Sequence, residues 1–210
     1  MQEMGSPITL LATVVAISLT GVIAPGPVTA VTITKGAERK EAGALIALGH
    51  GMVEMPMIVL IGLGFATVMA APGVKAVVGV VGGGVLVWMG IGMLRTKPHA
   101  FEERREIARG CVVAGLTTTV ANPFWFVWWA TVGAALVASA GTWGIVGVAA
   151  FAVTHWLCDL GWLSFLSWGV FTTRRLWNPG VYRAILVVCG AVLLGFGAYF
   201  LVVGAGQVFR

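Results

Sequence analysis

Six long apolar runs, separated by short polar breaks, dominate the pattern of the chain. They cover residues 8–34, 42–70, 74–94, 111–138, 143–171 and 181–206. A helix needs about 20 mostly apolar residues to cross the hydrocarbon core of a bilayer. Each run satisfies that length, so the pattern predicts an all-α integral membrane protein with six transmembrane helices.

Two of the predicted helices contain a breaker. The first run holds Pro25, Gly26 and Pro27, and the fourth holds Asn122 and Pro123. Proline lacks the N–H that a helix needs and its ring clashes with the preceding turn, so we predict a broken first helix. Backbone groups freed in this way bind solutes or ions when they line a cavity. These five residues are therefore candidate substrate-binding residues.

The composition excludes a water-soluble domain. The 210 residues are 59% hydrophobic and 10% charged, against roughly 25% charged in soluble domains. The three cysteines form no C-x-x-C pair, and neither H-E-x-x-H nor G-x-S-x-G occurs. We therefore expect neither an enzyme nor a cofactor.

The basic residues indicate the orientation rather than a nucleic-acid partner. Loops 35–41, 95–110 and 172–180, with Arg183 at the edge of the last, hold eleven of the 13 Lys and Arg residues; the others are Lys75 and Arg210. Short loops rich in Lys and Arg stay in the cytoplasm. We predict an inner (plasma) membrane protein with these loops in the cytoplasm and both termini outside.

An internal repeat relates the two parts of the chain. Spans 3 and 6 share one Gly-Leu spacing at an offset of 107, in Gly83, Leu86, Gly90 and Leu94 and in Gly190, Leu193, Gly197 and Leu201. We predict one three-helix repeat at 1–95, a cytoplasmic linker at 96–110 and a second repeat at 111–210. An odd number of spans inverts the second repeat, which is typical of secondary transporters.

Two pairs of ionisable residues occupy the second and fifth spans. His50 and Glu54 are four residues apart, as are His155 and Asp159, so each pair shares a helix face. A charge in the bilayer costs at least about 2.5–3.5 kcal/mol, which favours a functional role. The four side chains are either a proton relay or N/O ligands of a divalent cation. The threonines at 117–119 are further candidate polar residues of this site.

Tryptophans are concentrated in spans 4 and 5. Aromatic side chains mark membrane interfaces and pack against lipid, so lipid contact is the favoured interpretation over a role in lining a cavity. The residues concerned are Trp125, Trp128, Trp129, Trp156 and Trp162.

The G-V-I-A-P-G-P segment of span 1, the Asn122-Pro123 pair and the repeated Gly-Leu spacing resemble the LysE/RhtB family of exporters. This resemblance covers nearly the whole chain. It implies six spans in two three-helix repeats, possible homodimers, and amino-acid efflux driven by the proton gradient. It also implies a substrate site at the two helix breaks. Where many members have Lys after the Asn-Pro pair, this chain has Phe124.

The expected function is secondary active export of a small solute, with an amino acid or a derivative as the first candidate. Two inverted repeats would give alternating access, with a proton or another ion coupled to the cargo. The alternative is a divalent metal cation exporter with His50, Glu54, His155 and Asp159 as ligands.

Overall fold

The protein is described here by a computed structural model that covers residues 6–23, 26–69, 71–95, 107–176 and 179–208. Within these ranges every regular element is helical. The helices are α1 Pro7–Val22, α2 Pro27–Glu38, α3 Ala42–Gly62, α4 Ala66–Met69, α5 Pro72–Arg95, α6 Ile107–Val120, α7 Pro123–Gly141, α8 Gly144–Thr173 and α9 Pro179–Val208. Helix α5 contains a π-helical segment at Val78–Gly82, and α7 contains one at Trp129–Gly133.

The membrane-spanning fold agrees with the sequence prediction. Five stretches are long and apolar enough to cross a bilayer, and the bent pair α1 and α2 provides a sixth. The all-α membrane class is therefore confirmed, and the six predicted spans agree with five candidate spans, or six if the bent pair is one span.

The first span is broken, as predicted. Helix α1 ends at Val22 and α2 begins at Pro27, and the two helices meet at an angle of 76°. Pro25 lies outside the described residues. Gly26 precedes α2 in an extended conformation and Pro27 is its first residue, a position where the missing N–H costs no helical hydrogen bond.

The fourth predicted span, 111–138, is divided into α6 and α7. Asn122 is extended, and its side-chain oxygen accepts a hydrogen bond from the Phe124 amide at 3.1 Å. This cap satisfies one of the free N–H groups at the start of α7. The break between α6 and α7 therefore has a local cause, a good capping residue directly before a proline.

Glycines bring the central helices into close contact. Helix α3 packs against both α6 and α8. A Cβ at Gly49 would collide with the Val112 carbonyl oxygen, and one at Gly115 would collide with the Ile46 carbonyl oxygen. Small residues at helix crossings allow this backbone contact in membrane proteins.

The contacts between α5 and α9 are reciprocal. A Cβ at Gly83 would lie 2.8 Å from the Gly197 carbonyl oxygen, and one at Gly90 would lie 2.8 Å from the Gly190 carbonyl oxygen. At the offset of 107, the Gly83–Gly197 contact corresponds to the Gly190–Gly90 contact. Twofold-related halves produce such pairs, but the inverted repeat and its boundaries remain predictions.

Two of the predicted cytoplasmic loops lie at the same end of the bundle. The Arg174 guanidinium donates a hydrogen bond to the Ala37 carbonyl at 3.2 Å, and the Ser167 hydroxyl donates one to the Lys40 carbonyl at 2.8 Å. Arg174 and the segment from Ala37 to Lys40 therefore lie at the same end of the bundle, which agrees with the charge pattern.

Candidate functional site

Four ionisable side chains meet in the interior where α3 and α8 pack together. His50 and Glu54 come from α3, and His155 and Asp159 come from α8. Their exposed fractions are 6%, 0%, 4% and 6% in that order. The two pairs that the sequence places 105 residues apart thus form one buried cluster, called here the His–carboxylate cluster.

Glu54 is the centre of this cluster. Its Oε1 lies 3.2 Å from Nε2 of His50 and 3.1 Å from Nε2 of His155. Both imidazoles therefore share one carboxylate oxygen, although His50 belongs to the first predicted repeat and His155 to the second.

Asp159 completes the cluster at slightly longer range. Its Oδ1 lies 3.8 Å from His50 Nε2, and its Oδ2 lies 3.7 Å from His155 Nε2. Oε2 of Glu54 and Oδ2 of Asp159 are buried without a hydrogen-bond partner. A buried carboxylate oxygen without a partner is costly, so these atoms are suited to binding a cation or a hydrogen-bond donor.

A hydroxyl group holds the far nitrogen of each imidazole. Nδ1 of His50 lies 2.7 Å from Oγ1 of Thr119, and Nδ1 of His155 lies 2.7 Å from Oγ of Ser18. Thr119 stands on α6 and Ser18 on α1, so each histidine bonds to a helix of the other predicted repeat. The sequence analysis missed Ser18 and did not distinguish Thr119 from its neighbours.

The Thr119 hydroxyl determines which nitrogen of His50 carries a hydrogen. It donates its single proton to the Gly115 carbonyl at 2.6 Å, so it accepts from Nδ1 of His50. In the neutral imidazole, Nε2 then has a lone pair directed at Glu54. A lone pair and a carboxylate oxygen 3.2 Å apart repel each other unless a proton or another cation lies between them. A proton or another cation between these two atoms would remove this repulsion.

Aromatic rings fix the second imidazole. His155 is stacked between Trp128 and Phe151, with ring centroids 5.0 and 5.7 Å away, and Trp129 meets it edge-on at 5.3 Å. The aromatic rings limit rotation of the imidazole, so Nε2 stays directed at the carboxylates.

A cavity of about 130 Å³ opens beside the His–carboxylate cluster. All four cluster residues line it, together with the start of α2 and the capping Asn122. None of the described lining residues is Lys or Arg. Its apolar wall includes six aromatic rings, those of Phe124, Trp125, Trp128, Trp129, Phe196 and Phe200.

The candidate substrate residues thus have different positions. Gly26, Pro27 and Asn122 line the cavity, whereas Pro123 is buried beside Gly82 and is not among the lining residues. Pro25 lies outside the described residues. The preference for lipid contact was wrong for Trp125, Trp128 and Trp129, because these three rings line the cavity.

Comparison with known proteins gives one family. A family model described as "LysE type translocator" matches residues 19–204 of the 210. No curated protein and no solved structure matches the chain. The matched region includes all four residues of the His–carboxylate cluster.

Proposed function

We propose, from the premise that this chain belongs to the family of LysE type translocators, that it exports a small amino acid or a derivative in exchange for protons. Membership of the family and the apolar helices make the protein a multi-pass membrane transporter of small solutes. The cargo, the coupling ion and the direction are the proposal.

Polar atoms without partners at the cavity support an amino acid as cargo. The carboxylates of Glu54 and Asp159 each have an oxygen without a partner, and the indole N–H groups of Trp125 and Trp129 also lack one. All four residues line the same cavity. Oxygens of this kind suit an ammonium group, while N–H donors and the start of a helix suit a carboxylate. A zwitterionic amino acid offers both groups.

The cavity volume limits the size of the cargo. A cavity of about 150 Å³ in another protein holds benzene, which has six non-hydrogen atoms. The 130 Å³ here therefore fits a solute with about six non-hydrogen atoms, as in alanine. The aromatic wall would contact a short apolar side chain.

Competition for one pair of carboxylates provides a mechanism for exchange. Glu54 contacts the Nε2 atoms of both histidines, and each of these two contacts requires a proton between the nitrogen and the oxygen. The ammonium group of the cargo would bind the same carboxylate. Cargo and protons then exclude each other, which is the minimum that an antiporter needs. This exchange inside the bilayer gives the buried charges a function.

Alternating access would arise from movement of the two halves around this site. The reciprocal bonds of His50 with Thr119 and of His155 with Ser18 join the halves at equivalent places and support the inverted repeat. The charge pattern supports cytoplasmic loops at 35–41, 95–110 and 172–180 in the inner membrane. A homodimer remains part of the proposal through the family resemblance alone.

Counterflow in proteoliposomes tests the proposed cargo. Vesicles containing the purified protein and unlabelled alanine are diluted into a trace of labelled alanine, and uptake of the label is followed over time. We expect transient accumulation, its loss in Glu54→Gln, and its retention in Glu41→Gln. Glu41 is a matched control because its side chain is half-exposed and paired with Arg39 at 3.5 Å.

A proton gradient that is acidic inside the vesicles should increase uptake of labelled alanine by the wild type against the alanine gradient. If none of the small neutral amino acids shows counterflow, the proposed class of cargo is refuted. Equal counterflow in Glu54→Gln would refute the role of the cluster.

A further inference from the structure

The geometry points to a second ligand of the same cluster: a divalent transition-metal ion held by His50, Glu54 and Asp159, with His155 beside it. The inference rests on the proposed function in one respect, because the metal ion would compete with the cargo ammonium for the same carboxylates. Metal binding itself does not depend on which cargo is exported.

The distances between the potential ligand atoms match a metal site. With bonds of about 2.0–2.2 Å to nitrogen and oxygen, the ligands of a tetrahedral zinc ion lie about 3.3–3.6 Å apart. His50 Nε2 lies 3.2 Å from Glu54 Oε1 and 3.8 Å from Asp159 Oδ1. The three residues each place one ligand atom within 4.8 Å of the other two. The two distances from His50 Nε2 therefore already lie within a few tenths of an ångström of those in a metal site.

His155 is positioned to become a fourth ligand. Its Nε2 lies 3.1 Å from Glu54 Oε1 and 3.7 Å from Asp159 Oδ2. Two carboxylates with two neutral imidazoles carry a charge of −2, and the described cavity lining contains no Lys or Arg to balance it. A divalent ion neutralises this charge completely, which matters where water is excluded.

The hydroxyl groups behind the imidazoles support the same conclusion. A histidine that binds a metal ion through Nε2 usually donates its Nδ1–H to an oxygen, which fixes the ring and its tautomer. Thr119 accepts such a bond from His50 at 2.7 Å, and Ser18 lies at the same distance from His155. The buried carboxylate oxygens without hydrogen-bond partners are a second observation that favours a cation ligand.

The donor set selects the kind of metal. Imidazole suits zinc, copper, iron and nickel, whereas magnesium and calcium prefer sites made of oxygen alone. Entry of the metal displaces the protons between Glu54 and the imidazoles, and these protons leave to the solvent. Binding is therefore expected to release protons and to weaken at acidic pH.

Titration with Co²⁺ tests the site directly, because four-coordinate Co²⁺ absorbs visible light far more strongly than the aquo ion. The protein is purified without a polyhistidine tag, treated with chelator, and titrated in detergent. We expect one saturable Co²⁺ per chain in the wild type, displaced by Zn²⁺, and loss of the absorption in His50→Gln and in Asp159→Asn. His99→Gln, at the third histidine of the chain, is the matched control and should bind as the wild type does.

Thr119→Val tests the geometry without removing a ligand. It should weaken Co²⁺ binding about 10- to 100-fold, as loss of an outer hydrogen-bond partner does, and Thr119→Ser should restore it. Thr118→Val is the control, because the neighbouring hydroxyl is equally buried but bonds only to the Ala114 and Gly115 carbonyls of its own helix.

Counterflow separates failure of this inference from failure of the proposed function. Counterflow of alanine in chelator-treated vesicles without any Co²⁺ absorption would overturn the metal site and leave the exporter in place. Co²⁺ binding that survives in His50→Gln would also overturn it. Specific Co²⁺ binding without counterflow of any amino acid would support the metal site and refute the cargo.

Discussion

Replacement of Gly115 by alanine tests whether backbone contact between α3 and α6 positions the functional site. A Cβ at Gly115 would collide with the carbonyl oxygen of Ile46, and it would lie 2.9 Å from the Ile46 carbonyl carbon and 3.0 Å from its Cα. These are backbone atoms that no rotamer change can move. Ordinary contact begins at 3.4 Å, so the two helices must separate by at least 0.5 Å at this crossing.

The cost of this separation can be isolated with a matched variant. Overpacking typically costs about 1–3 kcal/mol. Alanine also favours a helix over glycine by about 0.8–1.0 kcal/mol, which masks part of that cost. Gly195 lies on α9 with no atom within 4 Å of its would-be Cβ, so Gly195→Ala gains the propensity without the clash. The difference between the two variants in free energy of unfolding, about 1–3 kcal/mol, therefore measures the cost of overpacking.

Thermal unfolding of the two variants in detergent gives the measurement. For a chain of about 200 residues, 1 kcal/mol corresponds to roughly 2–4 °C, so Gly115→Ala should melt about 2–12 °C below Gly195→Ala. Because α6 also holds Thr119 against His50 at 2.7 Å, alanine counterflow should fall as well. Equal melting temperatures would show that α3 and α6 are not in backbone contact and would refute the packing argument.

Two further predictions concern single hydrogen bonds, and a third concerns the orientation in the membrane. Asn122→Ala removes the cap on the Phe124 amide at 3.1 Å and should lower the free energy of unfolding by about 1 kcal/mol in denaturant titration, with the uncharged capping variant Asn122→Ser close to the wild type. Ser167→Ala leaves the Lys40 carbonyl without its 2.8 Å donor and should cost about 1 kcal/mol in the same assay, whereas unchanged stability would show that water replaces the bond. In a cysteine-free background, Lys75→Cys should react with a membrane-impermeant maleimide in intact cells and Lys40→Cys only after lysis; the reverse would invert the proposed orientation.

Much of the architecture is encoded locally. The apolar runs determined where the spans lie, because a bilayer accepts only helices of sufficient apolar length. Prolines determined where α2 and α7 begin, because the residue cannot donate within a helix but is tolerated at its first position. The spacing of four residues placed His50 and Glu54 on one face of α3, and His155 and Asp159 on one face of α8.

Only the tertiary structure decided which faces meet. The spans are apolar on all sides, so no amphipathic pattern reveals how each helix is rotated. Glycine contacts such as Gly115 with Ile46 fix that rotation, and they select Thr119 rather than Thr118 to bond His50. The same packing brings Ser18 to His155 across 137 residues of sequence. The sequence by itself therefore determined the spans, the breaks and the ionisable pairs. Only the packing of α3 against α8 brought these pairs together around Glu54. Such contacts join distant segments of the chain, so they depend on three-dimensional shape and leave no local period in the sequence.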